Sequence, residues 1–165
     1  MVHRTDEDMI MAIQQVGIVG AGQMGNGIAH VFALAGYEVL MNDISGDALK
    51  AAVDLIKRNL ERQVGKDLIT EAEKTDALAR IGTTQTLTDL GQTDLIIEAA
   101  TEREDIKRKI FEAVGKILGD QAVLASNTSS IPITPRRPSS SQIAQTNELA
   151  SMVFSKKGPF SMDIF

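Results

Sequence analysis

The sequence predicts an α/β protein built on a mostly parallel sheet with helices on both faces. Three observations carry that reading. Short apolar runs alternate with longer segments of helical periodicity from Ile13 to Ser126, and apolar strands spaced by helices form parallel sheets covered on both sides. The first run, Val16-Gly17-Ile18-Val19, passes directly into Gly20-Ala21-Gly22-Gln23-Met24-Gly25, a G-x-G-x-x-G turn with an apolar helical pattern behind it. The second run ends at Asp43, 18 residues past Gly25.

The elements follow in order. A strand over 13–19 leads into a helix over about 23–35, with Ile28, Val31, Phe32 and Ala35 as its apolar face and Gly36 placed to end it. A strand over 38–42 precedes a helix over 46–64 carrying Leu49, Val53, Ile56 and Leu60 at helical spacing. A shorter helix over about 70–80 then gives a hairpin larger than a minimal βαβ crossover, inserted at the sheet's edge. Next come a weak strand at Ile81-Gly82-Thr83-Thr84, a strong one at Asp94-Leu95-Ile96-Ile97-Glu98, a charged amphipathic helix over about 103–118 and a last clear strand at Ala122-Val123-Leu124-Ala125-Ser126.

The glycines give the first turn a chemistry. Gly20 permits the tight turn, Gly22 lets backbone approach a pyrophosphate, and Gly25 lets the helix pack close to the strand. The first free N–H groups of the helix and its positive dipole end then face phosphates. Ala21, Gln23 and Met24 complete this cofactor loop, and the fold is read as Rossmann-type. Asp43 is placed to accept hydrogen bonds from the adenosine ribose hydroxyls. Its charge disfavours a 2′-phosphate, and no arginine follows closely to receive one, so NAD is expected over NADP. Taken alone, Asp43 also reads as a turn or helix N-terminal aspartate ahead of Ser45-Gly46-Asp47.

Composition narrows the class. With 43% hydrophobic and 24% charged residues, 165 residues give one domain with a sizeable core and no room for two full ones. A net charge of −5 offers no footprint for nucleic acid. No cysteine is present, which excludes disulfides, thiolate catalysis and zinc–thiolate sites, and no metal is expected. No apolar run approaches the roughly 18 residues of a membrane span, and the start has no signal-peptide shape, so a cytoplasmic location is the expectation. Residues 1–11 read as a polar, disordered leader, with Met11 a candidate translation start.

Together with the glycine turn and Asp43, the segments Ile97-Glu98-Ala99-Ala100-Thr101-Glu102 and Ala125-Ser126-Asn127-Thr128-Ser129-Ser130 carry a family resemblance. The chain resembles the NAD-binding domain of 3-hydroxyacyl-CoA dehydrogenases, bacterial 3-hydroxybutyryl-CoA dehydrogenases above all, over roughly residues 13–134. The resemblance implies that Glu102 and Lys107 line the nicotinamide side of the NAD site and that Ser129 orients the 3-hydroxyl or 3-keto group of an acyl-CoA substrate. It also implies that the edge hairpin, through Asn59 and Lys66, contacts coenzyme A. Without it, Glu102 and Lys107 read as surface charges at a helix start, Ser129 as a loop or capping serine, and Lys66 as an ordinary exposed lysine. In the family a histidine just beyond the S-N-T-S-S segment moves the proton, oriented by a later glutamate; an imidazole near pKa 6.5 suits that role.

The resemblance breaks after Thr134. The family histidine falls about 21 residues past Ser129, where this chain has Ala150, and its two histidines sit elsewhere. His3 lies in the leader, and His30 reads as a surface or packed residue of the first helix. The stretch Pro135-Arg136-Arg137-Pro138-Ser139-Ser140-Ser141 reads as linker or disorder. Residues 135–165 form a divergent tail with four basic against two acidic side chains, in which no helix or strand of the expected kind is visible. The nucleotide domain, residues 12–134, is therefore expected to be incomplete at its C-terminal end, by frameshift, truncation or a replaced gene end. The family's helical dimer domain is not found in the sequence, which leaves the oligomeric state open. Two functions remain in view: the cofactor domain of an NAD-dependent 3-hydroxyacyl-CoA dehydrogenase, and a non-catalytic NAD-binding module or remnant. A 3-hydroxyisobutyrate-type dehydrogenase fits the S-N-T-S-S segment and the hairpin less well.

Overall fold

The computed structural model describes residues 13–119 and 122–126, and the backbone of 143–145. Its elements are β1 (Gln15–Val19), α1 (Gln23–Leu34), β2 (Glu38–Asn42), α2 (Gly46–Val64), α3 (Glu71–Ala79), β3 (Ile81–Thr84), a 3-10 helix (Leu87–Gln92), β4 (Leu95–Glu98), α4 (Glu104–Ile117), β5 (Val123–Ser126) and β6 (Ile143–Gln145). All strand pairs are parallel, in the order β3-β2-β1-β4-β5-β6. The chain runs outward from β1 to β3, then returns to place β4 on the other flank of β1. Val16 pairs with Val39 on one side and with Leu95 on the other. That reversal opens a crevice beyond the C-terminal ends of β1 and β4, where doubly wound sheets bind their ligands.

Strand alternation builds two cores. Val16, Ile18, Val39, Met41, Leu95, Ile97, Val123 and Ala125 point to the face covered by α1, α2 and α3. Val19, Ile96 and Leu124 point the other way, onto Leu90 of the 3-10 helix and Val114 of α4. The 3-10 helix had no counterpart in the sequence reading, which saw only a connection there. It lies close over β1, where a side chain on Gly17 would come within 2.9 Å of the Thr93 hydroxyl.

Local signals set most boundaries. Ser45 caps α2 by accepting the Ala48 N–H at 3.2 Å, and Thr70 and Glu73 form a reciprocal capping box on α3. At the end of α1, Gly36 adopts φ +92°, donates to the Ala33 carbonyl and is followed by Tyr37 donating to Phe32. This is a Schellman stop, with the Phe32 and Tyr37 rings edge-to-face at 5.5 Å.

Three expectations are corrected. The buried face of α1 is Gly25, Asn26, Ala29, His30, Phe32 and Ala33, whereas Ile28, Val31 and Ala35 are only half-buried. Small residues win this face because α1 lies too close to the sheet for branched ones. On α2, Ala52 is buried where Val53 was expected. The sheet also continues past the boundary at Thr134: β6 pairs with β5, Leu124 opposite Ile143, inside the segment read as an irregular tail.

Candidate functional site

The crevice begins where β1 ends. Gly20 takes φ +106°, and a Cβ there would strike the Ala100 backbone at 2.6 Å. The turn after β1 therefore rests directly on the turn after β4, and Ala99 donates to the Val19 carbonyl at 2.8 Å. A Cβ on Gly25 would sit 1.9 Å from the Gly20 carbonyl oxygen, which shows how closely the helix start folds back on the loop. Gly22 is different: a Cβ there meets nothing within 4 Å. Its open side is room for a ligand rather than for packing.

Gly22 is the N-cap of α1, with no side-chain cap and no acidic residue in the first turn. The first helical hydrogen bond is Asn26 N–H to the Gly22 carbonyl, so the N–H groups at the start of the helix have no partner within it. Gln23 and Met24 are exposed beside them, while Ala21 is buried. An uncapped helix start, a dipole's positive end and an unfilled Gly22 together suit a phosphate anion.

Asp43 joins this loop from β2. Its Oδ2 accepts the Ala21 N–H at 2.9 Å and its Oδ1 accepts the Ser45 N–H at 2.9 Å. Both roles considered for it are therefore present: it shapes its own turn and it holds the glycine loop. A carboxylate offers about four lone-pair sites, so acceptor capacity remains for ribose hydroxyls.

Across the crevice, Glu98 ends β4 with no exposed surface. Its Oε1 accepts the Ala100 N–H at 2.8 Å and its Oε2 lies 3.1 Å from the Lys107 ammonium, with the Ser126 hydroxyl at 3.4 Å. The Lys107 side chain is 3% exposed, so the surface-charge reading of Lys107 is corrected: it is one half of a buried ion pair. Breaking such a pair on one side costs about 3–5 kcal/mol. Glu102, in the loop before α4, is exposed. Glu98 was quoted in the sequence motif without a role. The signal was its position closing an apolar strand, since a carboxylate buried there must be paired.

The remaining expected site residues are not gathered here. Asn59 is half-buried on α2, where it accepts from Arg62, and Lys66 is exposed in the following turn. Neither is hydrogen-bonded to the glycine loop or to Asp43. Ser129, with Asn127, Thr128 and Ser130, lies outside the described residues, as does Ala150. His30 is packed: it is 3% exposed, with Nε2 3.2 Å from the Gln63 side-chain oxygen. Burial lowers its pKa, against an upward push from Gln63. Among the described residues no group of acidic or histidine side chains is arranged to hold a metal, and no helix is long and apolar enough to cross a membrane.

A doubly wound sheet with the 3-2-1-4-5-6 order, a glycine loop at the switch point and an acid at the end of the second strand defines a dinucleotide-binding domain. The comparisons specify which. The chain belongs to the family described as 3-hydroxyacyl-CoA dehydrogenase, NAD binding domain, whose model matches residues 15–148. A 3-hydroxybutyryl-CoA dehydrogenase of Bradyrhizobium diazoefficiens is 53% identical over 126 residues, which are 76% of this chain and 43% of that relative. One from Mycobacterium tuberculosis is 47% identical, over 74% of this chain and 43% of the relative. The chain thus spans less than half the length of these curated relatives. Among solved structures, the (S)-3-hydroxybutyryl-CoA dehydrogenase of Ralstonia eutropha superposes with a TM-score of 0.72 at 49% identity, covering 74% of this chain and 44% of that one. The 3-hydroxybutyryl-CoA dehydrogenase of Escherichia coli K12 gives 0.76 at 35% identity, covering 81% and 29%.

Proposed function

We propose that this chain is the cofactor-binding part of an NAD-dependent 3-hydroxyacyl-CoA dehydrogenase acting on 3-hydroxybutyryl-CoA or a close homologue, in fatty-acid or butanoate metabolism in the cytoplasm. The observation that carries the reading is the Asp43–Ala21 hydrogen bond, which joins a ribose acceptor to a phosphate loop whose Gly22 side stands open. NAD supplies the hydride acceptor when bound. The chain's own residues bind and orient it: the start of α1 holds the pyrophosphate, Asp43 the adenosine ribose, and Glu102 with Lys107 flanks the nicotinamide half. Ser129 orients the oxygen of the substrate's third carbon, and Asn59 and Lys66 reach coenzyme A. The nucleotide domain spans residues 12–134, with residues 1–11 a leader and 135–165 a divergent tail that contributes β6.

A second reading, an NAD-binding module without catalysis, is favoured by one observation: Ala150 stands where the family's proton-moving histidine belongs. Titration with NADH, followed by turnover assays with 3-hydroxybutyryl-CoA, tests both. Tight binding with turnover supports the enzyme, tight binding without turnover supports the module, and no binding overturns both.

A further inference from the structure

The adenosine half of the site is accounted for by the glycine loop and Asp43, whereas the Glu98–Lys107 pair lies on the opposite side of the switch point. The register Val19–Glu98–Ser126 places Glu98 at the C-terminal end of β4, between the ends of β1 and β5. In a doubly wound sheet the second half of a dinucleotide lies over those strand ends. Glu98 is wholly buried and the Lys107 side chain nearly so, so water and salt screen them little.

We propose that the Glu98–Lys107 pair sets the preference of this site between oxidised and reduced cofactor; the inference rests on the NAD reading above. The two forms share every phosphate and ribose and differ in the ring, which carries one positive charge when oxidised and none when reduced. A carboxylate and an ammonium 3.1 Å apart largely cancel at the distance of a bound ring. The site therefore neither traps the oxidised form, as an unbalanced anion would, nor traps the reduced form, as an unbalanced cation would. Removing one member leaves the other's charge acting on one redox form alone.

The measurement is the ratio of the NAD⁺ to the NADH dissociation constant, by calorimetry and fluorescence on the 165-residue chain. Glu98→Gln is expected to raise the ratio, weakening NAD⁺ more than NADH, by about fivefold, the size of a unit charge acting over ~10 Å at an effective dielectric constant of ~40. Lys107→Met is expected to lower it by a comparable factor, and the neutral double variant to stay within about twofold of wild type. A merely structural pair would weaken both forms alike or move the ratio in the same direction in both single variants, and either result overturns the proposal. Where circular dichroism shows a single variant unfolded, the double variant decides: a larger departure than that twofold limit overturns the proposal and a ratio within it supports it. If the wild-type chain binds neither form, the NAD reading falls and takes this inference with it. An unchanged ratio with intact binding defeats the inference alone.

Discussion

The carboxylate of Asp43 and the backbone N–H of Ala21 lie 2.9 Å apart, so the acid that faces the ribose also fastens the loop that faces the phosphates. Any change at Asp43 reaches both. NADH is expected to bind at least about tenfold more tightly than NADPH, because a fixed carboxylate repels a 2′-phosphate. Asp43→Asn should narrow that gap, and Asp43→Ala should weaken NADH as well, by roughly ten- to a hundredfold if it loses a charge-assisted hydrogen bond of about 1.5–3 kcal/mol. Fluorescence titration of both cofactors decides it. NADPH binding equal to NADH in the unaltered chain would remove Asp43 from the ribose site.

Gly22 and Gly25 should separate binding from folding. Gly22→Val meets open space, so the chain should stay folded, losing about 1 kcal/mol at the N-cap, while cofactor binding is abolished. Gly25→Ala drives a methyl into the Gly20 carbonyl at 1.9 Å. The collision is with backbone and cannot relax through a rotamer, so a loss at or above the roughly 3 kcal/mol end of overpacking is expected. Thermal unfolding beside NADH titration checks the pair. A Gly22→Val variant that still binds NADH would place the pyrophosphate elsewhere.

His30 predicts a pH dependence. Burial between α1 and α2 lowers its pKa below the ordinary value of 6.5, so the unfolded chain takes up the proton first as pH falls. The stability tied to neutral His30 is whole above about pH 6.5 and is lost as pH drops toward the folded-state value. The melting temperature should be nearly level above neutrality and decline on acidification from about pH 7 to pH 5, above the main carboxylate range. His30→Leu should flatten that decline. An unchanged slope in the variant would assign the effect to other groups.

Turnover should be poor. With Ala150 at the family's histidine position, NADH formation from 3-hydroxybutyryl-CoA is expected to fall about 10²–10⁴-fold below a complete family enzyme, the usual loss of a positioned general base. Ser129→Ala is the diagnostic comparison. Robust turnover in the chain as given, collapsing in Ser129→Ala, would mean that another residue moves the proton.

Much of this was readable because its causes are local. The bounds of β2, α2 and β3 fall where the sequence puts them, since Ser45 caps α2 and alternation dictates the strands. The face of α1 was misread because periodicity weighs large apolar residues, while close approach to β1 selects Gly25, Ala29 and Ala33. The 3-10 helix offers only Leu87 and Leu90 as a pattern, too little for periodicity to register. The Glu98–Lys107 pair joins a strand end to the next helix; which buried charge meets which is decided by tertiary packing. The strand Ile143–Gln145 follows a proline- and serine-rich stretch and is too short to show alternation.

The two neighbours of β1 lie at very different distances along the chain. Val16 meets Val39 after 23 residues but Leu95 only after 79. Closing the longer loop costs about 1 kcal/mol more entropy, before any of its contacts can compensate, and distant pairings slow folding. The β1–α1–β2 unit thus has the head start, and β4 docks onto a strand already paired. The crevice between β1 and β4 then comes into being at a late step of folding, so a newly made chain acquires its cofactor site only after most of its first half has taken shape.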